Sequence, residues 1–107
     1  MERTFGRVSI DDRGIRKSRF LLFFGRPFDL TWDSITGWDT VEAVLASGDS
    51  TWVISRMLEL QTADKLHYVD WSGPTAEFNA LLEEVRRRLP DKRTDSILKK
   101  MNPGMYR

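Results

Sequence analysis

The chain has 107 residues, of which 40% are hydrophobic and 31% charged, a composition typical of one globular domain rather than of a disordered segment. It contains no cysteine, which excludes disulfides, thiolate catalysis, cysteine-bound zinc and iron–sulfur clusters. The net charge of +1 conceals three blocks, because residues 1–26 and 86–107 are basic whereas residues 27–85 are acidic. We interpret the blocks as basic ends on an acidic body; the alternative is that basic and acidic surfaces meet, within one molecule or between copies.

The N-terminal residues lack the apolar stretch of a signal peptide. The longest apolar run, Phe20 to Phe24, is too short for a transmembrane helix, which needs about 20 residues. We therefore expect a cytoplasmic protein without a transmembrane segment.

Apolar residues recur mostly with period two up to residue 71, which predicts β-strands. The predicted strands cover residues 4–10, 15–24, 28–32, 35–45, 51–62 and 65–71. Turn-forming residues separate them at 11–14, 25–27 and 33–34, and residues 46–50 are predicted to form a loop. The last two strands, joined at residues 63–64, give the clearest hairpin signal.

After Pro74 the apolar period changes to three and four, at Phe78, Leu81, Leu82, Val85 and Leu89. This predicts an amphipathic helix over residues 74–89 that is capped by Ser72 or Gly73 and closes the β body like a lid. Phe78, Leu81, Leu82 and Val85 are expected to be buried. Beyond Pro90, a second short helix is predicted, with Ile97, Leu98 and Met101 on one side.

Several short motifs follow one another in a distinctive order. Asp-Arg-Gly-Ile-Arg opens the second strand at residues 12–16, and Trp-Asp-Ser-Ile marks a corner at 32–35. Leu-x-Leu-x-Thr follows at 58–62, and the predicted helix carries Phe-x-x-Leu-Leu at 78–82 and closes with Arg-Leu-Pro at 88–90. Over roughly residues 3–90 the chain thus resembles the bacterial pleckstrin-homology (PH)-like domains and, more distantly, the GRAM branch of that superfold.

The resemblance implies a mainly β fold, a PH-like antiparallel barrel of six to seven strands capped by one C-terminal amphipathic helix. Residues 1–90 would form this domain, and residues 91–107 a basic C-terminal tail with a short helix. The sequence pattern yields six strands whereas the family usually has seven, so one of the longer predicted strands is a candidate for bending into two.

The function that the resemblance implies is binding rather than catalysis, since relatives bind phosphoinositides, peptides or proteins, or oligomerise. We expect a non-enzymatic binding or self-association module without a cofactor, whose partner is a protein or a second copy of the chain. The alternative is a peripheral membrane adaptor that binds anionic lipid headgroups.

Phosphoinositide-binding relatives carry a basic residue on the first strand and a basic-x-basic pair on the second. Arg7, Lys17 and Arg19 stand at similar positions, and Arg13 lies in the turn between the strands. Several fixed cations are what a polyphosphate group needs. Lys17 and Arg19 share one face of a strand, so the alternative interpretation is an ordinary solvated face.

The run from residue 20 to 24 is apolar on both faces of its predicted strand: Phe20, Leu22 and Phe24 on one, Leu21 and Phe23 on the other. A barrel interior can cover only one of them. The other face is expected to be covered by the chain's own helix or tail, by a second copy in self-association, or by a membrane surface.

No pattern in the sequence indicates catalysis or a metal site. His67 is the only histidine and has no partner at a ligand spacing, so we expect an ordinary polar strand position. The serines lack a nucleophile-elbow context, and no glycine-rich phosphate loop is present. The C-terminal cations are not interleaved with aromatic residues, so nucleic acid is not an expected partner.

Overall fold

The computed structural model describes residues 2–18, 26–71 and 73–107. Seven strands are followed by two helices, and a 3₁₀ turn (Trp32–Ser34) lies between the fourth and fifth strands. The elements are β1 (Arg3–Phe5), β2 (Val8–Ile10), β3 (Gly14–Lys17), β4 (Phe28–Thr31), β5 (Ile35–Ser47), β6 (Ser50–Thr62), β7 (Leu66–Trp71), α1 (Thr75–Arg88) and α2 (Ile97–Met101).

The strands form two antiparallel sheets, one of order β1-β2-β3-β4 and one of order β5-β6-β7. The protein is therefore mainly antiparallel β with a C-terminal helix, as the sequence predicted. Within the described ranges no strand pairing joins the two sheets, so the predicted barrel is not closed by a continuous hydrogen-bonded ladder.

The first predicted strand, residues 4–10, is in fact two strands. Gly6 has a φ of +60°, a conformation that favours glycine, and with Arg7 it makes the turn between β1 and β2. This break raises the strand number to seven. The second predicted strand, residues 15–24, is observed as β3 from Gly14 to Lys17, and Ser18 already lies outside it. Phe20–Phe24 lie outside the described residues, so their predicted roles stay predictions.

The two hairpins of the second sheet were predicted with unequal success. The β6–β7 hairpin is confirmed, with Thr62 and Lys65 closing its turn through a backbone hydrogen bond of 3.0 Å. The connection predicted at 46–50 is present but shorter than expected, because β5 and β6 pair as far as Ser47 and Ser50. Only Gly48 and Asp49 remain in the turn, and Gly48 supplies the positive φ that a two-residue hairpin turn requires.

The core lies between the two sheets and α1. Phe78, Leu81 and Val85 on α1 are buried as predicted, but Leu82 is only partly buried. Glu84 is buried on the same helix, where it accepts a hydrogen bond of 3.1 Å from Arg3 and another from Arg87. The predicted caps Ser72 and Gly73 are wrong: the N-cap is Pro74, which makes no side-chain capping bond.

Three of the four tryptophan side chains donate hydrogen bonds to backbone carbonyl groups. The indole N–H groups of Trp32, Trp38 and Trp71 donate to the carbonyl oxygens of Asp11, Leu89 and Pro74 at 2.9, 3.2 and 3.0 Å, respectively. Each large ring is thus packed while its polar atom is satisfied, the usual requirement for a buried indole.

The C-terminal segment, residues 92–107, packs along the edge of β5. Trp38 donates its backbone N–H to Lys92 and accepts one from Thr94, both at 3.0 Å, and farther along Glu42 and Arg107 exchange backbone hydrogen bonds. Gly37 permits the close approach, because a Cβ there would lie 2.5 Å from Thr94 Oγ1. The segment is therefore part of the folded sheet assembly.

A buried carboxylate holds this segment in place. Glu59 lies in the middle of β6 and is fully buried. Its two oxygens accept hydrogen bonds from Ser96 Oγ at 2.9 Å, from the Ile97 and Leu98 amides at 2.9 and 3.1 Å, and from Gln61 at 2.8 Å. The amides are those of the first turn of α2, where a carboxylate is favoured.

We predict that Glu59→Ala releases the C-terminal segment. Without the carboxylate the buried Ser96 hydroxyl and the α2 amides lose their acceptor, at a cost of about 3 kcal/mol. Hydrogen exchange of the Ile97 and Leu98 amides should then be roughly a hundredfold faster. Glu83→Ala, at an exposed position of α1, is the control and should leave exchange unchanged; unchanged exchange in Glu59→Ala would contradict this role.

Candidate anion site

Lys17 at the end of β3 faces the core and not solvent. It alternates with the exposed Arg16 and shares its face with the buried Ile15, and it is only 7% exposed. Its ammonium group donates a 2.9 Å hydrogen bond to the carbonyl oxygen of Tyr68 in β7 and lies 5.4 Å from the centre of the Phe28 ring. Lys17 therefore links the two sheets, which no strand pairing among the described residues does.

The electrostatic environment of Lys17 is unfavourable to its charge. Burial lowers the pKa of the Lys17 ammonium, and Arg7 adds to the lowering, whereas Asp70 acts in the opposite direction. An ammonium group has three donors, and Tyr68 accepts from one of them. An anion that reached the remaining donors would relieve this desolvation.

Beside Lys17 lies a cavity of about 380 Å³ with four basic side chains in its wall. Arg26 precedes β4, Lys65 lies in the β6–β7 turn and His67 belongs to β7. The remaining lining residues are Pro27, Phe28, Leu66 and Tyr68. None of these described lining residues carries a carboxylate, so the cavity is suited to an anion.

His67 is half-buried in this wall, with its ring 5.5 Å from that of Phe28 in an edge-on arrangement. Burial lowers the pKa of its imidazole; Lys65 and Lys17 add to the lowering, and Asp64 opposes it. The neutral form is thus favoured while the cavity holds no anion. A bound anion would favour the protonated form and raise this pKa.

Two neighbouring depressions also include Lys17 but are less suited to an anion. The larger, of about 750 Å³, is shallow and contains Glu2 and Asp29 beside Arg16. Arg16 is already engaged there, 3.0 Å from Glu2. The smaller, of about 170 Å³, combines Arg7 with Asp70 and Glu77. The cavity of about 380 Å³ is therefore the better candidate for an anion site, because its described lining includes no carboxylate.

The structure separates the cations that the sequence grouped. Arg7 lies in the β1–β2 turn and not on a strand, and together with Lys17 it lines the depression of about 170 Å³. Arg13 is exposed in the turn at the other end of β3, about 13 Å from Lys17 at 3.3 Å per residue. Arg19 lies outside the described residues.

Sequence reasoning missed Arg26, Lys65 and His67. Each stands singly beside a turn or on a strand, and only the pairing of β3 with β4 and of β6 with β7 brings them to one end of the sheets. The available signal was positional: Arg26 lies in the turn before one predicted strand, and Lys65 is the first residue of another.

In the part of the chain that the structure covers, no cluster of three or more His, Cys, Asp or Glu residues could hold a metal ion. No helix among the described residues is both long and apolar enough to cross a membrane. Comparison with protein-family models, with curated proteins and with solved structures finds no match to this chain.

We predict that Lys17→Met separates binding from stability. Methionine keeps most of the packing volume and removes the desolvated charge, which offsets the lost bond to Tyr68. The free energy of unfolding from urea titration should change by less than about 1 kcal/mol. Inorganic phosphate, followed by NMR titration, should nevertheless bind more weakly. A large loss of stability with unchanged phosphate binding would show that Lys17 is purely structural.

Proposed function

We propose that this chain is a non-enzymatic binding module of PH-like fold that takes a phosphate-bearing anion at the Lys17–His67 end. The arrangement of strands supports the PH-like assignment: four antiparallel strands, three antiparallel strands and then a helix. The family that the sequence resembles has this strand number and order of elements.

One observation carries the functional part of the proposal: Lys17, Arg26, Lys65 and His67 line one cavity without a carboxylate among its described lining residues. Arginine can bind phosphate oxygens through two parallel hydrogen bonds, and lysine acts as a point charge. Because the cavity is partly enclosed by Phe28 and Tyr68, these charges are screened less than on an open surface.

A phosphate group that could bind in this cavity is present both in lipid headgroups and in free phosphate compounds. In the chain, the apolar run 20–24 stands between Lys17 and Arg26. An apolar run beside basic residues is typical of segments that contact anionic membrane surfaces, which favours a lipid source. We therefore retain the peripheral membrane adaptor as the more specific form of the proposal.

The test uses vesicles of phosphatidylcholine with and without phosphatidylglycerol, together with inorganic phosphate in a parallel titration. The native chain should co-sediment with the anionic vesicles only, and less so as salt is raised. Arg26→Glu combined with Lys65→Glu should reduce vesicle binding at least about tenfold, since each basic residue contributes about 1 kcal/mol near an anionic surface.

Arg13→Glu is the control, because it reverses one cation at the other end of β3, in the same way as each single substitution of the double variant does at the cavity. It should retain vesicle binding. Binding of phosphate without vesicle binding would assign the site to a free phosphate compound. Absence of both, or equal losses in the control and in the double variant, would contradict the anion site.

A further inference from the structure

The outer half of the β5–β6 hairpin projects beyond the core. Burial ends at Val41 and Met57, and residues 43–55, here called the arm, carry exposed apolar side chains. Leu45, Trp52 and Ile54 are 55%, 53% and 64% exposed. The molecule is elongated, 47 Å long and 26 Å in its other two dimensions.

The two edges of the arm differ. On the β5 edge, the C-terminal segment covers the backbone: the Val44 amide donates to Met105 at 2.8 Å, next to the Glu42–Arg107 pair. On the β6 edge, β7 ends at Trp71, opposite Arg56. Among the described residues, no strand pairs with the outer edge of residues 50–55.

The register shows which backbone groups face this open edge. Val44 directs its amide to Met105, away from β6, so Val44 and Val53 form a non-hydrogen-bonded pair of the antiparallel ladder. Val53 therefore directs its N–H and C=O away from β5. By the alternation of the strand, Thr51 does the same, and the β-bulge after Val53 ends this regular stretch.

Such an edge is unusual in a protein that stays monomeric. Edge strands are commonly protected by charged residues, proline or short length, whereas residues 50–55, Ser-Thr-Trp-Val-Ile-Ser, contain neither a charge nor a proline. Trp52 also differs from the other three tryptophans, whose indoles are packed and bonded to backbone carbonyls. The arm thus presents pairing groups together with an apolar surface.

We propose that the open β6 edge pairs with the same edge of a second copy of this chain. In a two-fold antiparallel pairing centred on Trp52, Thr51 of each copy lies opposite Val53 of the other. These are the two residues whose backbone groups face outward, so each pair can exchange both hydrogen bonds. The exposed Trp52 rings meet at the two-fold axis, with Leu45 opposite Trp52 in each hairpin.

Charge favours a second copy over an unrelated strand. The neutral stretch is flanked by Asp49 on one side and Arg56 on the other. In the pairing centred on Trp52, Asp49 of each copy lies opposite Ser55 of the other copy and therefore next to its Arg56. The two-fold axis produces this contact twice. No like charges face each other across the paired stretch. The edge is therefore complementary to itself in antiparallel orientation.

Sedimentation equilibrium tests the pairing. The native chain should approach twice its 12.5 kDa mass with rising concentration. Trp52→Lys places two ammonium groups at the two-fold axis, and Val53→Pro removes a backbone N–H that faces the open edge. Both variants should sediment as monomers and should keep the circular dichroism spectrum of the folded chain. Met101→Lys, which adds the same charge at an exposed residue of the tail, should remain dimeric.

Disulfide trapping gives a second, independent readout, because the chain contains no cysteine of its own. Residues at a non-hydrogen-bonded antiparallel pair have Cα atoms about 4.5 Å apart, within the range that a disulfide spans. Trp52→Cys should therefore form a covalent dimer on mild oxidation. Ser47→Cys, exposed on the β5 side of the same arm, should not.

A native chain that sediments as a monomer at every concentration overturns the proposal. So does a dimer that persists in both Trp52→Lys and Val53→Pro. A dimer abolished by Phe23→Asp but retained in those two variants would also overturn it, and would assign self-association to residues 20–24. The outcome is independent of anion binding, since the site lies at the other end of β6 from the arm.

Discussion

The buried carboxylate of Glu59 is the constraint on which the arrangement of the second sheet depends. A carboxylate between Leu58 and Leu60 must be hydrogen-bonded, and three of its four partners belong to residues 96–98. Satisfying it therefore requires the C-terminal segment to fold against β5 and β6. Once that segment is placed, it covers the edge of β5, whereas no strand within residues 2–18, 26–71 and 73–107 pairs with the outer edge of β6.

The same placement explains the uneven charge along the chain. Cations of the basic tail meet carboxylates of the acidic body: Arg93 lies 3.1 Å from Asp39, and Arg107 lies 3.4 Å from Glu42. The basic and acidic blocks thus partly neutralise each other within one molecule. Lys17 is different, because within the described residues its ammonium group donates to the carbonyl oxygen of Tyr68 rather than to a carboxylate.

Local patterns in the sequence predicted α1 and the β6–β7 hairpin, because periodicity and turn residues act over a few positions. They did not predict the β1–β2 break, since Gly6 stands inside an otherwise extended pattern. The burial of Lys17 and of Glu59 also escaped prediction, because each is a charged residue on a strand whose hydrogen-bond partner lies far away in the chain. The cation cluster escaped for the same reason, since Arg26 and Lys65 become neighbours only through the sheet topology.

The most direct test of anion binding is an NMR titration of the His67 imidazole with and without inorganic phosphate. Without phosphate, the pKa should lie below the ordinary histidine value, because burial and the neighbouring lysines disfavour the charged form. With phosphate it should rise, because the anion favours the protonated imidazole. A pKa that phosphate leaves unchanged, in a protein that stays folded, would contradict the account.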